Sequence, residues 1–395
     1  MALPLDGTTV IDLSAVWAMP GAAMYLADQG ADVIKIEPPG GDIGRTLLAA
    51  PAIAGRSRAF WMLNRNKRSV VLDLKTEAAR SVLHALIAKA DVVMHNFRPG
   101  AAERIECGYE QVAALNERAV YVAFSAWGAS GPKRDARGYD LLLQARSGIL
   151  ARRRSAEGAP QPAGLFAVDM ASSLAVAFAI TLALLQRERT GKGQLIEGSL
   201  LQTALALQKS DLVSLVGHDE PPYDGELASL ATYNAYRCAD GNYVQVVIIT
   251  DGEWDGLVAA LELNAAQVRA QFNTAAARVE NGQALGHLLQ QVFETRGAAE
   301  WERRLDRFDV PAQRVFNSND VFEDPQLKAN DALLKLRQPG VGELEMPALP
   351  FRLHGASGYE FAPAPDLGQH TREVLEQLGI AEAEIGMVIR GPERS

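Results

Sequence analysis

The chain has 395 residues, more than one ordinary hydrophobic core sustains, so two domains are expected. With 48% hydrophobic and 22% charged residues it can bury a substantial core, which excludes an intrinsically disordered chain. A net charge of −9 argues against a nucleic-acid binder, yet a local cluster of Arg and Lys can still hold phosphates inside an acidic protein.

Along the first 200 residues short β-branched runs alternate with helical segments. Strands are expected at Thr9–Leu13, Asp32–Ile36, Ser69–Leu72, Asp91–Met94 and Val120–Phe124, and helices at Gly21–Gln29 and Thr76–Lys89. Such alternation predicts an α/β fold, a large Rossmann-like parallel sheet with helices on both faces and ligands beyond the carboxyl ends of its strands. The most apolar stretch, Met170–Leu185, carries Ser172, Ser173 and Thr181, is shorter than a membrane span, and predicts a buried helix. From Gln208 to Leu230 the character changes, with His218-Asp219-Glu220-Pro221-Pro222 as a polar connector. Tyr233–Ile249 predicts a hairpin about Asp240-Gly241, followed by helices to about Phe308. A proline-bearing tail (Pro347, Pro350, Pro363, Pro365) leads to a helix at Thr371–Leu378. The expected organisation is a large domain over 1–205 completed by 335–395, a linker over 206–230, a smaller α/β domain over 231–320, and a return segment over 321–395.

The two cysteines, Cys107 and Cys238, have no CxxC spacing, and MALPLDGTTVIDLS has no secretory pattern, so a cytoplasmic protein without a disulfide framework or a cysteine-rich zinc site is expected. No GxSxG, HExxH, P-loop or GxGxxG occurs, and the turn Ala15-Val16-Trp17-Ala18-Met19-Pro20-Gly21 does not cradle a pyrophosphate, which disfavours a nicotinamide dehydrogenase. Asp169 stands just before the apolar helix. Local sequence favours a helix N-cap. The alternative uses the same physics: a carboxylate at a helix N-terminus is expected to stay ionised at neutral pH. Ionised and partly desolvated, it can attack a thioester and form a mixed anhydride.

The motifs VIDLS (10–14), LADQGADVIKIEPPGGDIGR (26–45), NRNKRSVVLDLK (64–75), HNFRPGAAER (95–104), GYDLLLQARSG (138–148) and RERTGKGQ (187–194) occur in this order. With VPAQRV (310–315), EDPQ (323–326) and APDLGQHT (364–371) they resemble the class III CoA-transferase family across nearly the whole chain. The resemblance implies an acyl-CoA:carboxylate CoA-transferase, with coenzyme A or its acyl thioester as substrate and a small carboxylate as partner. It also implies an interlocked homodimer and no metal, membrane or nucleic acid. Asp169 would be the nucleophile, with Tyr139 and the backbone around Trp17 and Ala18 as donors to the developing charge. Leu72, Lys75, Asn96, Phe97, Arg98, Arg104 and Arg137 would contact CoA, arginine being suited to phosphate oxygens. Without the resemblance, Arg98 and Arg104 read as solvated helix-face charges.

The chain departs from the family at several positions. Met19 stands where many members have Gly and would push a side chain toward the thioester, while Ala59 replaces a Tyr of oxalate-using members and Pro38 a basic residue. Ile249-Thr250-Asp251-Gly252-Glu253 stands in place of a Gly-rich loop, which further argues against oxalate as acceptor. The alternative on the same fold is a 2-methylacyl-CoA racemase. Those enzymes carry His where this chain has Tyr139, and a phenol, ionising near ~10, is a poor base at neutral pH. Arg152-Arg153-Arg154 reads either as a solvated basic turn or as the partner of a second carboxylate, which would make the acceptor or donor a dicarboxylate.

Overall fold

The computed structural model describes residues 3–47, 52–155, 157–209, 212–214, 216–217, 230–356, 359–382 and 385. The connector read at 218–222 lies outside them. Contacts divide the chain into two compact units, 1–222 with 331–395, and 223–330.

The first unit runs β1 (Thr9–Asp12), α1 (Ala18–Ala27), β2 (Asp32–Glu37), α2 (Arg58–Leu63), β3 (Lys67–Val71), α3 (Glu77–Ile87), β4 (Val92–His95), α4 (Ala101–Arg104) and α5 (Tyr109–Leu115). It continues with β5 (Val120–Ser125), α6 (Asp140–Arg146), α7 (Ala167–Thr190), β6 (Leu195–Ser199) and α8 (Leu200–Ala206). The six strands are parallel, in the order β3-β2-β1-β4-β5-β6. Successive residues point to opposite faces: Val10, Val33 and Val92 join a core with α1 and α7, while Ile11, Ile34 and Val93 join one with α3. Both faces are covered, which is why these strands are apolar runs rather than alternations. Chain order reverses at the β1–β4 pair, so a crevice opens where their carboxyl ends diverge.

Two helices differ from expectation. Helix α1 begins at Ala18 rather than Gly21, because Pro20 is tolerated in a first turn whose N–H groups lack acceptors anyway. Helix α7 runs 24 residues, long and apolar enough to cross a membrane by length and composition, and is buried on one face only. The apolar stretch stops at Leu185, but the helix continues through Gln186-Arg187-Glu188-Arg189, Arg187 being tied to Asp91 at 2.8 Å, and ends where Gly191 adopts φ 74°.

In the second unit β7 (Tyr233–Arg237) and β8 (Tyr243–Val247) form the expected hairpin. Helices α9 (Asp251–Ala260), α10 (Ala265–Gln271), α11 (Ala275–Glu280), α12 (Gly282–Phe293) and α13 (Ala298–Arg307) follow, then β9 (Ala312–Arg314), which pairs with β8, and α14 (Ser318–Glu323) and α15 (Pro325–Ala329). Its core centres on Tyr236, Trp254, Phe293 and Trp301. The remaining chain belongs to the first unit: a hairpin of β10 (Leu333–Gln338) and β11 (Gly342–Pro347), and α16 (Thr371–Gln377). Residues 368–371 cover the edge of β3, with the Ser69 amide bonded to His370 Nδ1 (3.1 Å) and the Val71 amide to Thr371 Oγ1 (3.0 Å).

Candidate active site

The crevice beyond β1, β4 and β5 holds a cavity of about 510 Å³. Its wall includes Val16, Trp17 and Ala18 after β1, Asn96 to Pro99 after β4, Phe124 to Ala126 at the end of β5, Tyr139 to Leu141 at the start of α6, and Phe166 and Asp169 at the start of α7. Two helix N-termini, those of α1 and α7, therefore meet one space.

The close approach of α1 and α7 is set by a missing side chain. A Cβ on Gly21 would lie 2.3 Å from Ser173 Oγ, so only glycine fits. Ser173 then bridges the helices, donating to the Ala18 carbonyl at 2.7 Å. A similar restriction applies at Gly138, where a Cβ would lie 2.2 Å from that of Ala126, and it brings Tyr139 against the end of β5.

Asp169 is the third helical residue of α7, not its cap; Phe166 holds the cap position. The capping work is done from another element. Asp140 Oδ2 accepts the Asp169 amide at 2.8 Å and also takes the Val168 amide, while Gln144 donates to Asp140 Oδ1 and to the Leu165 carbonyl. The Asp169 carboxylate is thereby released from local bonding, and only 8% of the residue is exposed. Burial and the nearby charge of Asp140 push it up to about 7, so it is not the fully ionised group expected from its place near a helix start. Asp140 is raised too by burial, against which the two amides and Gln144 favour its charged form.

Eight of the residues anticipated from sequence line this cavity: Asp169, Tyr139, Trp17, Ala18, Asn96, Phe97, Arg98 and Arg137. Tyr139 is 59% exposed, its ring available to a bound molecule. Asn96 spends its amide on the protein, accepting from the Ala15 N–H at 3.0 Å and donating to the Ala15 carbonyl at 2.7 Å, so it laces the β1 and β4 turns together. Phe97 stacks on buried His95, which burial pushes down to about 4 and which contacts the Tyr121 hydroxyl at 2.7 Å. Leu72 lies in the core beneath the sheet, and Lys75 and Arg104 are exposed; none of the three lines the cavity.

Met19 does not intrude on the site. It is fully buried in the core with Val10 and Ile180, because one helical step turns it about 100° from Ala18. Ala59 and Pro38 also lie outside the cavity wall. The arginines at 152–154 turn to their surroundings: Arg152 donates to Gln208 (3.0 Å), Arg153 to the Pro162 carbonyl (3.5 Å) and Arg154 to the Gly158 carbonyl (3.1 Å). In their place Arg134 joins Arg98 and Arg137 in the wall. Sequence reasoning gave no role to Arg134, Phe166 or Asp140. For Asp140 a signal was present, an acid directly after Tyr139 in the GYDLLLQARSG motif.

A family model described as CoA-transferase family III matches residues 5–371. The chain is 31% identical over 392 residues to a succinyl-CoA–D-citramalate CoA-transferase of Chloroflexus aurantiacus, covering 98% of this chain and 96% of that one. It is 30% identical to the human succinyl-CoA:glutarate CoA-transferase, over 95% of this chain and 86% of the relative. A CAIB/BAIF family protein from Brucella suis has the same fold, with a TM-score of 0.84 and 30% identity over 96% of this chain and all of that one. A family match that takes in every cavity residue, backed by full-length relatives and a common fold, means that this chain belongs to CoA-transferase family III.

Proposed function

We propose that this CoA-transferase exchanges coenzyme A between carboxylic acids through covalent intermediates on Asp169. The observation that carries the reading is a buried carboxylate, freed from capping by Asp140, in the wall of a cavity shared with the start of α1. A carboxylate raised to about 7 is ionised in about half the molecules at neutral pH, and desolvation makes that fraction a stronger nucleophile. It attacks the carbonyl carbon of the donor thioester; the C–S bond breaks, CoA leaves as thiolate, and an acyl-aspartyl anhydride remains. The thiolate attacks the aspartyl carbonyl and expels the donor carboxylate, leaving an aspartyl-CoA thioester. The acceptor carboxylate displaces the thiolate to form a second anhydride. Thiolate attack on the acceptor acyl carbon then yields product acyl-CoA and regenerates Asp169. Each negative charge that leaves one atom arrives on another, so the cycle consumes neither proton nor ATP. The Trp17 and Ala18 amides and the Tyr139 hydroxyl supply donors to the tetrahedral oxyanions.

One of the acids is a dicarboxylate. The relatives that transfer between succinyl-CoA and citramalate or glutarate support this, and Arg134, in the same cavity wall as Arg98 and Arg137, offers a cation for a second carboxylate. A second copy of the chain completes the molecule as an interlocked homodimer. The unpaired, buried cysteines suit a reducing compartment, the cytoplasm. Incubation with acyl-CoA and hydroxylamine, followed by peptide mass spectrometry, should mark Asp169, and Asp169→Ala should abolish transfer while CoA still binds. Wild-type turnover by the alanine variant would sink the covalent reading. A matrix of acyl-CoA donors against mono- and dicarboxylic acceptors then identifies the pair.

A further inference from the structure

Beneath the cavity wall lies a cluster of charged groups that takes no part in the chemistry above. Lys35, Lys67, Asp12, Asp42 and Glu37 are all at most 4% exposed, and Arg45 is 7% exposed. Lys67 pairs with Asp12 at 3.0 Å, Lys35 with Asp42 at 2.9 Å, and Arg45 with Glu37 at 2.6 Å. Taking so many charges out of water is costly, and such groups are often replaceable by apolar residues without loss of stability. Stability alone therefore does not account for such a cluster beneath the cavity.

The explanation is in the turn above them. Val16 adopts φ +74°, a left-handed conformation that a β-branched residue resists. Strain of this kind persists only where surrounding groups over-determine it, and every peptide group from 14 to 16 is gripped by a side chain. The Ser14 amide donates to Asp12 Oδ1 (3.0 Å), and its carbonyl accepts from Lys35 Nζ (2.8 Å). Ala15 is clamped at both ends by Asn96. The Val16 amide donates to Asp42 Oδ1 at 3.0 Å, an oxygen that also accepts the Gly44 amide at 2.7 Å. Gly44 packs so closely that a Cβ there would lie 3.0 Å from the Val16 carbonyl oxygen. Immediately after this turn come Trp17 and Ala18, which begin α1 and line the cavity; N–H groups in the first turn of a helix have no intrahelical acceptor.

We infer that Asp42 is a positioning residue for transfer: with Lys35 and Gly44 it holds Val16 in its left-handed conformation and so aims the Trp17 and Ala18 amides at the reacting carbonyl. This rests on the proposed acyl-transfer reading and adds to it how the oxyanion donors are kept in place before substrate arrives. A turn held by chemistry outside the cavity affects the transition state more than the bound thioester, since donors preorganised for the oxyanion act as charge develops.

The test uses the full-length protein with an acyl-CoA donor and a carboxylate acceptor, confirmed folded by circular dichroism. Asp42→Ala removes the oxygen that accepts the Val16 and Gly44 amides; kcat should fall by roughly 10- to 100-fold while the KM for acyl-CoA stays close to wild type. Adding Val16→Gly should restore most of the lost kcat, because glycine holds φ +74° without help. A merely structural role for Asp42 would not give that rescue. Should Asp42→Ala fail to fold, Gly44→Ala presses on the Val16 turn with all charges intact, and the same loss and the same rescue are expected. Wild-type kcat in Asp42→Ala, or a double variant no faster than its parent, overturns the inference. A wild-type enzyme that leaves Asp169 unmodified and transfers no CoA overturns the functional reading instead, so the two failures are distinct.

Discussion

Asp169 and Asp140 share one helix start: Asp140 caps it, and the Asp169 carboxylate is left in the cavity wall. Because burial and Asp140 raise Asp169 to about 7, its folded value lies above the ~4 of an unfolded aspartate. The folded protein therefore binds the extra proton between these limits, and stability falls as pH rises from about 4 to about 7. Asp169→Asn removes that cost: it should raise the melting temperature at pH 8 and change it little at pH 4, a difference readable by calorimetry at the two values. The catalytic counterpart is an acid limb near pH 7 in kcat/KM. Asp140→Asn removes the neighbouring charge and should move that limb to lower pH, at some loss of helix capping; an unmoved limb would mean that burial alone sets Asp169. Arg134 is exposed in the cavity wall, where the proposed dicarboxylate would meet it. Arg134→Gln should raise KM for dicarboxylates and leave monocarboxylates unchanged, and equal effects on both would assign it to CoA.

At the scale of elements, the packing of α1 on α7 is what brings the start of α1 and Asp169 into one space, and it depends on Gly21. Gly21→Ala would force a methyl against Ser173 Cβ at 2.9 Å, too short and too stiff a neighbour to swing aside. Overpacking of this order costs ~1–3 kcal/mol, and the denaturation midpoint should fall together with kcat. Strands β1 to β5 and the hairpin at 233–247 were legible in sequence, because β-branched runs encode strands locally, whereas β6, with Glu197 and Gly198 in its middle, was not. What sequence hid was carried by contacts between distant residues. Asp140 caps a helix that starts 27 residues later in the chain, Arg134 reaches the cavity from a polar loop, and the hairpin at 333–347 lies among prolines and charges that read as coil. The family motifs marked Asp169 and Tyr139 as residues of interest but not the company they keep. The protonation of Asp169 follows from burial, which no local pattern records.

For the whole molecule the open question is what covers α7. Leu174, Phe178, Leu182 and Leu185 recur at helical spacing and are 44–65% exposed, whereas Ser172, Ser173, Val176, Ile180 and Ala183 on the other side are buried. A continuous apolar stripe of this kind marks a contact surface. At about 1.5 Å per residue the helix could cross a bilayer. A membrane-spanning helix, however, would have to carry the buried Asp169 and the Arg187–Asp91 ion pair out of the positions they hold in this fold. A second copy would cover the stripe without disturbing them, as the interlocked dimer proposed above requires. Light scattering on the purified enzyme should give about twice the mass of one chain. Phe178→Glu, placing a charge in the middle of the stripe at a residue 65% exposed here, should weaken that assembly and lower the melting temperature in a concentration-dependent manner. The concentration dependence is the decisive readout, because a substitution that merely damaged the fold of one chain would shift the melting point equally at every dilution. A wild-type enzyme that scatters as a single chain would leave the stripe to another occupant, and binding to lipid vesicles would then identify that occupant as a membrane.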